Sequence, residues 1–329
     1  MPFTESTYEN AVIQLFEGMG YTHIYAPDMG REDFSEPLMD GVLRDALVRI
    51  NRGLPLEAIG EALSKIRNFE GGSLVEKNRI FTGYLQDGVE VNYTVGGENR
   101  AALVRLVDFE KPENNDFAVV NQYTYIENGN NRRPDIILFV NGLPLVLMEL
   151  KSPSKEDAGV EDAYNQLRNY MQDIPSMFIY NAICVISDLS ANRAGTITSG
   201  LDRFMDWKTK DGRYENTAYA QFDTFYEGMF PKARLLDILQ FQAQQNHMKN
   251  FICFSGDAQK PIKILAGYHQ YFAVRKAVEK AVVATNTDGK GGVFWHTQGS
   301  GKSLSMVFYA HLLQEVLHSP TIVVMTDRI

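Results

Sequence analysis

Apolar and polar residues alternate along the chain in two different rhythms. The stretch TESTYENAVIQLFEGMGY places its apolar residues on one face of a helix, and Gly20 marks its predicted end. Two more amphipathic stretches, DGVLRDALVRIN and PLEAIGEALSKI, also predict helices. Further along, VEVNYTV and FAVVNQYTYIE show the patterns that are typical of strands. The first third of the chain therefore predicts helices followed by a sheet.

The most apolar part of the chain is RRPDIILFVNGLPLVLMELKSPS, which runs from Arg132 to Ser154. It predicts two buried strands joined at Asn141-Gly142. Charged residues nevertheless lie at the strand ends, and burying a charge is costly unless it is paired or holds a metal. These charged residues are Asp135, Glu149 and Lys151.

The rest of the chain predicts a second domain. A helix that ends at Pro175 is predicted in EDAGVEDAYNQLRNYMQDIP, and a buried strand in MFIYNAICVISD. Residues 200–250 are predicted to be mostly helical. FSGDAQKPIK is rich in residues that break regular structure and indicates a boundary between Ser255 and Pro261. We therefore expect a first domain over residues 1–258, with a helical connection from about 200, and a second over 259–329.

The second domain begins with a predicted helix, YHQYFAVRKAVEKAVVAT. It continues as strand, glycine-rich loop and helix in VFWHTQGSGKSLSMVFYAHLLQEV, and a last strand is predicted in TIVVMT. The segment HTQGSGKS fits the second half of the phosphate-loop pattern G-x-x-x-x-G-K-[ST], with His296 in place of the first glycine.

Such a loop binds ATP with Mg²⁺ because its glycines let backbone N–H groups point at phosphate oxygens. Lys302 would reach the β- and γ-phosphates, and the Ser303 hydroxyl would hold Mg²⁺. The alternative is a glycine and serine loop that happens to precede a helix. The candidate ATP-binding residues of the loop are Thr297, Gly299, Ser300, Gly301, Lys302 and Ser303.

Composition narrows the function classes. The 329 residues carry a formal net charge of −9, which argues against a simple nucleic-acid coat but leaves room for a local basic groove. The two cysteines build no disulfide framework, so we expect a reducing, cytoplasmic location. The N-terminal residues show neither a signal peptide nor a membrane span, and we expect no membrane partner.

The charged hairpin ends suggest a metal site. Two carboxylates, Asp135 and Glu149, can hold Mg²⁺, which lowers the pKa of a bound water and stabilises charge on a phosphodiester. Lys151, two residues past Glu149 on the same strand face, can orient the water or neutralise the phosphate. The alternative is a strand end stabilised by a salt bridge between Lys151 and Glu149.

This metal site makes a demand on the hairpin. A regular hairpin with a two-residue Asn141-Gly142 turn pairs Val140 with Leu143 and puts Asp135 and Glu149 on opposite faces. A three-residue loop would put them directly opposite each other on one face. We therefore predict a three- or five-residue loop, with Gly142 at positive φ in a bulge.

The pattern D…E-x-K on adjacent strands resembles the core of the PD-(D/E)xK nucleases. Gln166 and Tyr170 share a face of the next helix at spacing i, i+4, and this pair resembles the accessory motif of the RecB-like branch. That resemblance implies a helix acid that completes the metal site. Glu5 and Glu9 are the candidates and Glu9 is preferred, the alternative being a solvated helix face.

The phosphate loop is similar to motif I of superfamily 2 helicases. GYHQYFAV resembles their adenine-reading Q motif and implies a role for Gln270, whose alternative is an ordinary exposed helix glutamine. TIVVMTDR resembles their next motif, in which Thr326, Asp327 and Arg328 approach nucleic acid. No second acidic motif follows, so ATPase activity of this chain alone is not expected.

Together these segments resemble the restriction (motor) subunit of type I restriction–modification enzymes. The resemblance implies an α/β fold: a RecB-like nuclease domain with a mixed central sheet flanked by helices, then the start of a RecA-like motor lobe. It implies ATP-driven translocation and Mg²⁺-dependent cleavage of double-stranded DNA, with DNA-specificity and methyltransferase subunits as partners. Two alternatives stay open: a RecB-type ATP-dependent repair nuclease, and a non-catalytic scaffold that binds DNA or a partner.

Overall fold

The computed structural model describes residues 5–151, 159–213, 222–239, 251–256 and 260–325. The helices in these ranges are α1 (Glu5–Gly18), α2 (Asp40–Ile50), α3 (Leu56–Arg67), α4 (Leu74–Asp87), α5 (Val160–Asp173), α6 (Pro175–Ile179), α7 (Phe222–Met229), α8 (Lys232–Leu239), α9 (Tyr268–Thr285) and α10 (Lys302–Val316). The strands are β1 (Thr22–Tyr25), β2 (Val89–Val95), β3 (Glu98–Val104), β4 (Phe117–Asn121), β5 (Tyr125–Glu127), β6 (Asn130–Arg132), β7 (Ile136–Val140), β8 (Leu143–Leu150), β9 (Ile183–Ser187), β10 (Asn192–Gly195), β11 (Ile252–Ser255) and β12 (Ile262–Leu265).

The long amphipathic helices that were predicted are confirmed, but one further helix was missed and one strand was predicted too long. Pro175 does end α5, but it also begins α6, because its fixed φ suits the first turn of a helix. The strand predicted in MFIYNAICVISD is therefore wrong in its first half, and β9 begins only at Ile183. Helix α4 was missed although Ser73 and Glu76 form a capping box at its start.

A six-stranded mixed sheet forms the centre of the molecule, in the order β1-β4-β7-β8-β9-β10. β7 runs antiparallel to both of its neighbours, β4 and β8, whereas β1 is parallel to β4 and β9 is parallel to β8. Helices α5 and α6 make the crossover that a parallel β8–β9 pair requires. The predicted α/β fold with a mixed central sheet flanked by helices is confirmed.

Both faces of this sheet are covered, so β7 and β8 are buried along their whole length. Along β7, Ile136, Leu138 and Val140 pack into the larger core, which includes residues of α1, α3 and α4. Ile137 and Phe139 pack into a second core with residues of α5 and α6. Odd-numbered residues of β7 therefore face α5, and continuing the alternation places Asp135 on that side.

The β7–β8 hairpin differs from its prediction. Asn141 and Gly142, with φ of 52° and 79°, form a tight two-residue turn in which Val140 pairs with Leu143. The predicted three- or five-residue loop is therefore wrong. Asn141 is buried in the turn, and its side-chain amide donates to the Leu106 carbonyl at 3.0 Å.

A β-bulge at Leu145 supplies the extra residue that the loop was expected to provide. Phe139 pairs with Pro144, but Leu138 pairs with Val146, so Leu145 has no partner across the ladder. Leu145 and Val146 consequently both pack into the larger core, and the strand alternation changes phase. Pro144 favours a bulge here because it has no N–H to donate to the ladder.

The predicted boundary near residue 258 lies within a small strand pair, β11–β12, in which Cys253 pairs with Ile264. On β12, the buried Lys263 donates to Asn78 of α4 and to the carbonyl of Asn181. Helix α9 then packs Tyr271 against Phe251 at 4.7 Å between ring centroids. The chain that follows β12 is thus tied to the first domain, and the boundary itself stays a prediction.

Two strands predicted around the phosphate loop are wrong within the described residues. Residues 291–297 and 321–325 have no strand partner there, and they expose Val293, Trp295, Val323 and Met325. A strand persists only when a neighbour satisfies its N–H and C=O groups, and none of the described strands lies alongside them. In the part of the chain that the structure describes, no helix has the length and apolar character needed to cross a membrane.

Candidate functional site

One edge of the central sheet gathers most of the predicted nuclease residues. β4 ends at Asn121, which pairs with Ile136 at the start of β7, and Ile136 in turn pairs with Met148 of β8. Continuing that register by one residue puts Asp135 opposite Glu149. Because the bulge changes the phase of β8, Glu149 faces the α5 side of the sheet, as Asp135 does. The bulge thus achieves what a longer loop would have done.

Hydrogen bonds and burial fix the acidic side chains. Asp135 Oδ2 accepts a hydrogen bond from the backbone N–H of Leu150 at 2.7 Å, which ties the start of β7 to the end of β8. Glu149 is fully buried, and its Oε1 lies 2.7 Å from Nζ of Lys151. The salt bridge considered as the alternative is therefore present, and it holds Lys151 beside the Glu149 carboxylate.

Helix α5 adds Gln166 and Tyr170 to the same group. Lys151 Nζ donates to Gln166 Oε1 at 2.6 Å, and Gln166 Nε2 donates to the Tyr170 hydroxyl at 2.6 Å. Burial raises the pKa of Tyr170, and the negative charge of Glu149 raises it further. Tyr170 thus stays protonated at neutral pH. The residues predicted to organise the site form a continuous chain of hydrogen bonds from Tyr170 to Glu149.

Glu9 lies on the face of α1 that turns toward the sheet and is buried, so the alternative of a solvated glutamate is wrong. Its Oε1 accepts from Asn121 Nδ2 at 2.6 Å, and its Oε2 accepts from Gln122 Nε2 at 3.2 Å. His23 contacts the same amide, with Nε2 3.0 Å from Asn121 Oδ1. Glu9 is thereby held at the end of β4. The side chain of Glu5 lies outside the described residues.

The donor set at the sheet edge fits a hard divalent cation, since Asp135 and Glu149 offer carboxylate oxygens on one face. Within the described ranges, no group of three or more histidine, cysteine, aspartate and glutamate side chains is close enough to hold a metal. A cation here would take the Asp135 and Glu149 carboxylates and complete its shell with other oxygen ligands. Glu9 as a third ligand stays a prediction.

The phosphate loop has its glycines where the predicted chemistry needs them. Gly299 and Gly301 have φ of 82° and 77°, a region that glycine enters without strain. Gly301 caps α10, so the helix N-terminus opens onto the loop. Lys302 Nζ folds back and donates to the carbonyls of His296 and Thr297, each at 2.9 Å. The lysine thus satisfies carbonyls of its own loop.

Gln270 is buried, so the alternative of an ordinary exposed glutamine is wrong. Its Oε1 accepts from Gly267 N–H at 2.9 Å, and its Nε2 donates to the Gly301 carbonyl at 3.2 Å. The neighbouring His269 Nε2 lies 3.1 Å from the Ser300 carbonyl. The start of α9 therefore holds the phosphate loop directly. Thr326, Asp327 and Arg328 lie outside the described residues.

Comparison with family models shows which protein family the chain belongs to. A sequence model described as type I restriction enzyme R protein N terminus matches residues 2–203, more than half of the chain. The chain belongs to this R protein family. A second family model, the SWI2/SNF2 ATPase, matches residues 269–329 and agrees with the predicted motor segment.

Relatives of this R protein support the same conclusion. The type I restriction enzyme HindI endonuclease subunit of Haemophilus influenzae is 39% identical over 98% of the chain and 31% of its own length. The putative MjaIXP endonuclease subunit of Methanocaldococcus jannaschii is 31% identical over 98% of the chain and 32% of its own length. The chain thus spans about a third of the length of these relatives.

Sequence reasoning missed several side chains that shape this R protein site. Asn121 and Gln122 hold Glu9, and Ser187 offers its carbonyl to the N–H of Lys151 at 2.8 Å. The hydroxyl of Ser187 is hydrogen-bonded to Tyr8 of α1. The signal for the first two was an amide pair directly after the apolar run FAVV, where a strand was expected to continue. Nothing in the sequence distinguishes Ser187 from other serines.

Proposed function

We propose that this chain carries the nuclease and the start of the ATP-driven motor of a type I restriction endonuclease. The observation that carries the proposal is the register of β7 and β8. The bulge at Leu145 brings Asp135 and Glu149 to one sheet face, where Lys151 joins them. A scaffold needs no such register, because a salt bridge between Lys151 and Glu149 forms within a single strand whatever its partner does.

The proposed chemistry is metal-assisted hydrolysis of a phosphodiester in a PD-(D/E)xK nuclease. Asp135 and Glu149 would hold Mg²⁺, which supplies a water of lowered pKa and positive charge at the scissile phosphate. Lys151 Nζ lies 2.7 Å from Glu149 Oε1 and would leave Glu149 to contact the phosphate or the attacking water. Gln166 keeps the Lys151 ammonium in place by accepting its hydrogen bond, and Gln166 in turn donates to the hydroxyl of the protonated Tyr170.

The second part of the proposal concerns the motor. Backbone N–H groups of the loop from Thr297 to Ser303 would receive the phosphates of ATP, and Ser303 would hold the accompanying Mg²⁺. Lys302 would exchange the carbonyls of His296 and Thr297 for phosphate oxygens. Gln270 would recognise the adenine. Its hydrogen bond to the Gly301 carbonyl would change when the loop binds the phosphates.

The relatives' names describe endonuclease subunits of type I restriction enzymes, and a subunit name implies partner subunits. For this chain we therefore propose double-stranded DNA as substrate, and DNA-specificity and methyltransferase subunits as partners. A RecB-type repair nuclease is the weaker alternative. In this chain the phosphate loop follows the nuclease residues. An R protein relative, the HindI endonuclease subunit, aligns with 98% of this chain.

Paired lysine variants of the full-length subunit, assembled with its partners, test this division of labour. Lys151→Ala should abolish DNA cleavage while ATP hydrolysis and translocation continue, because the Lys151 ammonium is hydrogen-bonded to Glu149 and Gln166 of the nuclease group. Lys302→Ala should abolish ATP hydrolysis, translocation and cleavage together. The matched control is Lys208→Ala, a half-exposed lysine paired with Asp206. Loss of ATP hydrolysis in the Lys151 variant would contradict the proposal.

Metal binding supplies a readout that does not depend on activity. Isothermal titration with Mn²⁺ should show a site in the unaltered chain that the double substitution Asp135→Asn, Glu149→Gln removes. The Lys302→Ala chain should keep this site, which separates it from the ATP-dependent metal at Ser303. Equal Mn²⁺ binding by the unaltered and doubly substituted chains would support a purely structural salt bridge.

A further inference from the structure

The short hairpin β5–β6 stands directly before the nuclease residues in the chain. Its strands pair Tyr125 with Arg132 and Glu127 with Asn130. The connecting residues, Asn128 and Gly129, have φ of 52° and 80°, which is the geometry of a tight hairpin turn. The hairpin is therefore a defined ribbon, and Arg132 is followed after only two residues by Asp135.

One face of this ribbon braces helices α5 and α6. Arg132 Nε donates to Asp173 Oδ2 at 2.7 Å, and Asn130 Nδ2 donates to the Asp173 carbonyl at 3.3 Å. On the other strand, the Glu127 carboxylate accepts from the N–H and hydroxyl of Ser176 at 3.0 and 2.7 Å. The brace engages the only acidic side chain of the ribbon, Glu127.

Strand alternation directs the other side chains of the ribbon to the opposite face. Asn131 and Arg133 lie between and beyond the bracing residues and are exposed, as is Ile126, the cross-strand partner of Asn131. No ion pair of the described residues involves Arg133. The tip residues Asn128 and Gly129 are exposed as well. The outer face therefore offers one cation and several amide groups, and it carries no carboxylate.

We propose that this outer face of the β5–β6 ribbon binds the DNA backbone beside the bond that is cut. Arg133 is two residues from Asp135, a backbone distance of about 7 Å in an extended chain. A guanidinium there reaches a phosphate next to one held at the carboxylates, and Asn131 and Asn128 can donate to phosphate oxygens further along. These contacts position the duplex without reading its sequence, which suits an enzyme whose site selection lies elsewhere.

This inference rests on the proposed nuclease function, and binding without cleavage tests it separately. The assay is fluorescence anisotropy of the 329-residue chain with a short labelled DNA duplex in EDTA, over a range of salt concentrations. Arg133→Gln should make the plot of log K against log salt shallower by about 0.9, the value for one lost phosphate contact in duplex DNA. Arg133→Lys, which keeps the charge, should leave that slope unchanged.

Two more variants complete the design. Arg100→Gln is the matched control, since Arg100 lies half-exposed on another ribbon, β2–β3, which packs against α3. It should not change the slope. Asn131→Asp adds a negative charge to the outer face and should weaken binding at every salt concentration. Thermal melting of each variant verifies folding.

The proposal is overturned if the unaltered chain does not bind the duplex, or if Arg133→Gln gives the unaltered slope. Cleavage by the Lys151→Ala subunit is a separate result. If Lys151→Ala abolishes cleavage while Arg133→Gln keeps the slope, the nuclease assignment stands and the ribbon assignment falls. If the slope changes but Lys151→Ala still cuts DNA, the reverse holds.

Discussion

Lys263 permits a quantitative prediction because it is a lysine with almost no contact with water. Its Nζ donates to Asn78 Oδ1 at 2.9 Å, the Asn181 carbonyl at 2.8 Å and Thr82 Oγ1 at 3.3 Å. The backbone is held as well, since Thr198 Oγ1 accepts from Lys263 N–H at 2.9 Å. Burial lowers the pKa of Lys263 to about 7. The side chain that joins β12 to α4 should therefore make the stability of the protein depend on pH.

The sign follows from proton binding. With a pKa of about 7 when folded and an ordinary value of 10.5 when unfolded, Lys263 binds more protons in the unfolded chain between these pH values. The free energy of unfolding therefore rises with pH in this window, by up to about 1.4 kcal/mol per pH unit. From pH 7 to pH 9 the free energy of unfolding rises by about 2 kcal/mol. Stabilisation of the ammonium by its three oxygen acceptors reduces this rise.

Lys263→Met removes the titrating group and keeps most of its volume. Urea unfolding of both proteins at pH 7 and pH 9 gives four free energies, and the quantity of interest is the difference between proteins at each pH. Cys184 and Cys253, whose pKa values are raised by burial, titrate in both proteins and cancel in that comparison. Between pH 7 and pH 9 the free energy of unfolding of the unaltered protein should rise by about 2 kcal/mol more than that of the variant.

The reasoning is refuted if the difference between the two proteins is the same at pH 7 and pH 9. That result would mean that the three oxygen acceptors stabilise the ammonium as well as water does. If the unaltered protein instead lost stability relative to the variant as pH rises, even the sign of the prediction would be wrong. Lys210→Met is a suitable control, because Lys210 is paired with Asp223 and Glu227 at the surface and its pKa is raised, not lowered.

Two further predictions concern the geometry of the two candidate sites. Deleting Leu145 should leave Mg²⁺-dependent cleavage by the assembled enzyme intact, because it removes the unpaired residue and keeps every other pair of the ladder, so that Asp135 still lies opposite Glu149; loss of cleavage by a folded deletion variant would contradict the register argument. Gly301→Ala should weaken binding of a fluorescent ATP analogue, since a Cβ there lies 2.7 Å from Gln270 Nε2 at a φ of +77°; unchanged affinity would show that the loop tolerates a side chain.

The hairpin shows how far the sequence could lead. Its strands, its turn residues and the requirement that Asp135 and Glu149 share a face were all predicted from residue types. The position of the extra residue was not, because a bulge at Leu145 and a longer loop at Gly142 satisfy the same parity. Pro144 was the available clue, since a proline inside a central strand favours an irregular ladder.

Other parts depended on contacts that sequence spacing does not reveal. The burial of Glu9 depends on Asn121 and Gln122, which lie more than a hundred residues away along the chain. The place of Gln166 and Tyr170 in the site was anticipated only through a family resemblance, since the i, i+4 spacing predicted no more than a shared helix face. The hydrogen bond between Lys151 and Gln166 was not predicted. The strands predicted beside the phosphate loop have the right composition, but strand formation also depends on a partner.

The bulge also gives this segment of the gene a way to change its length over evolutionary time. Loss of the codon for the unpaired Leu145 leaves a regular ladder in which Asp135 still lies opposite Glu149, because the remaining pairs are unchanged. A one-residue change between the two acids therefore keeps their shared face when the bulge or the turn takes it up. Alignments of active relatives should place their length differences at the turn or at the bulge, and not within the paired stretches next to the two acids.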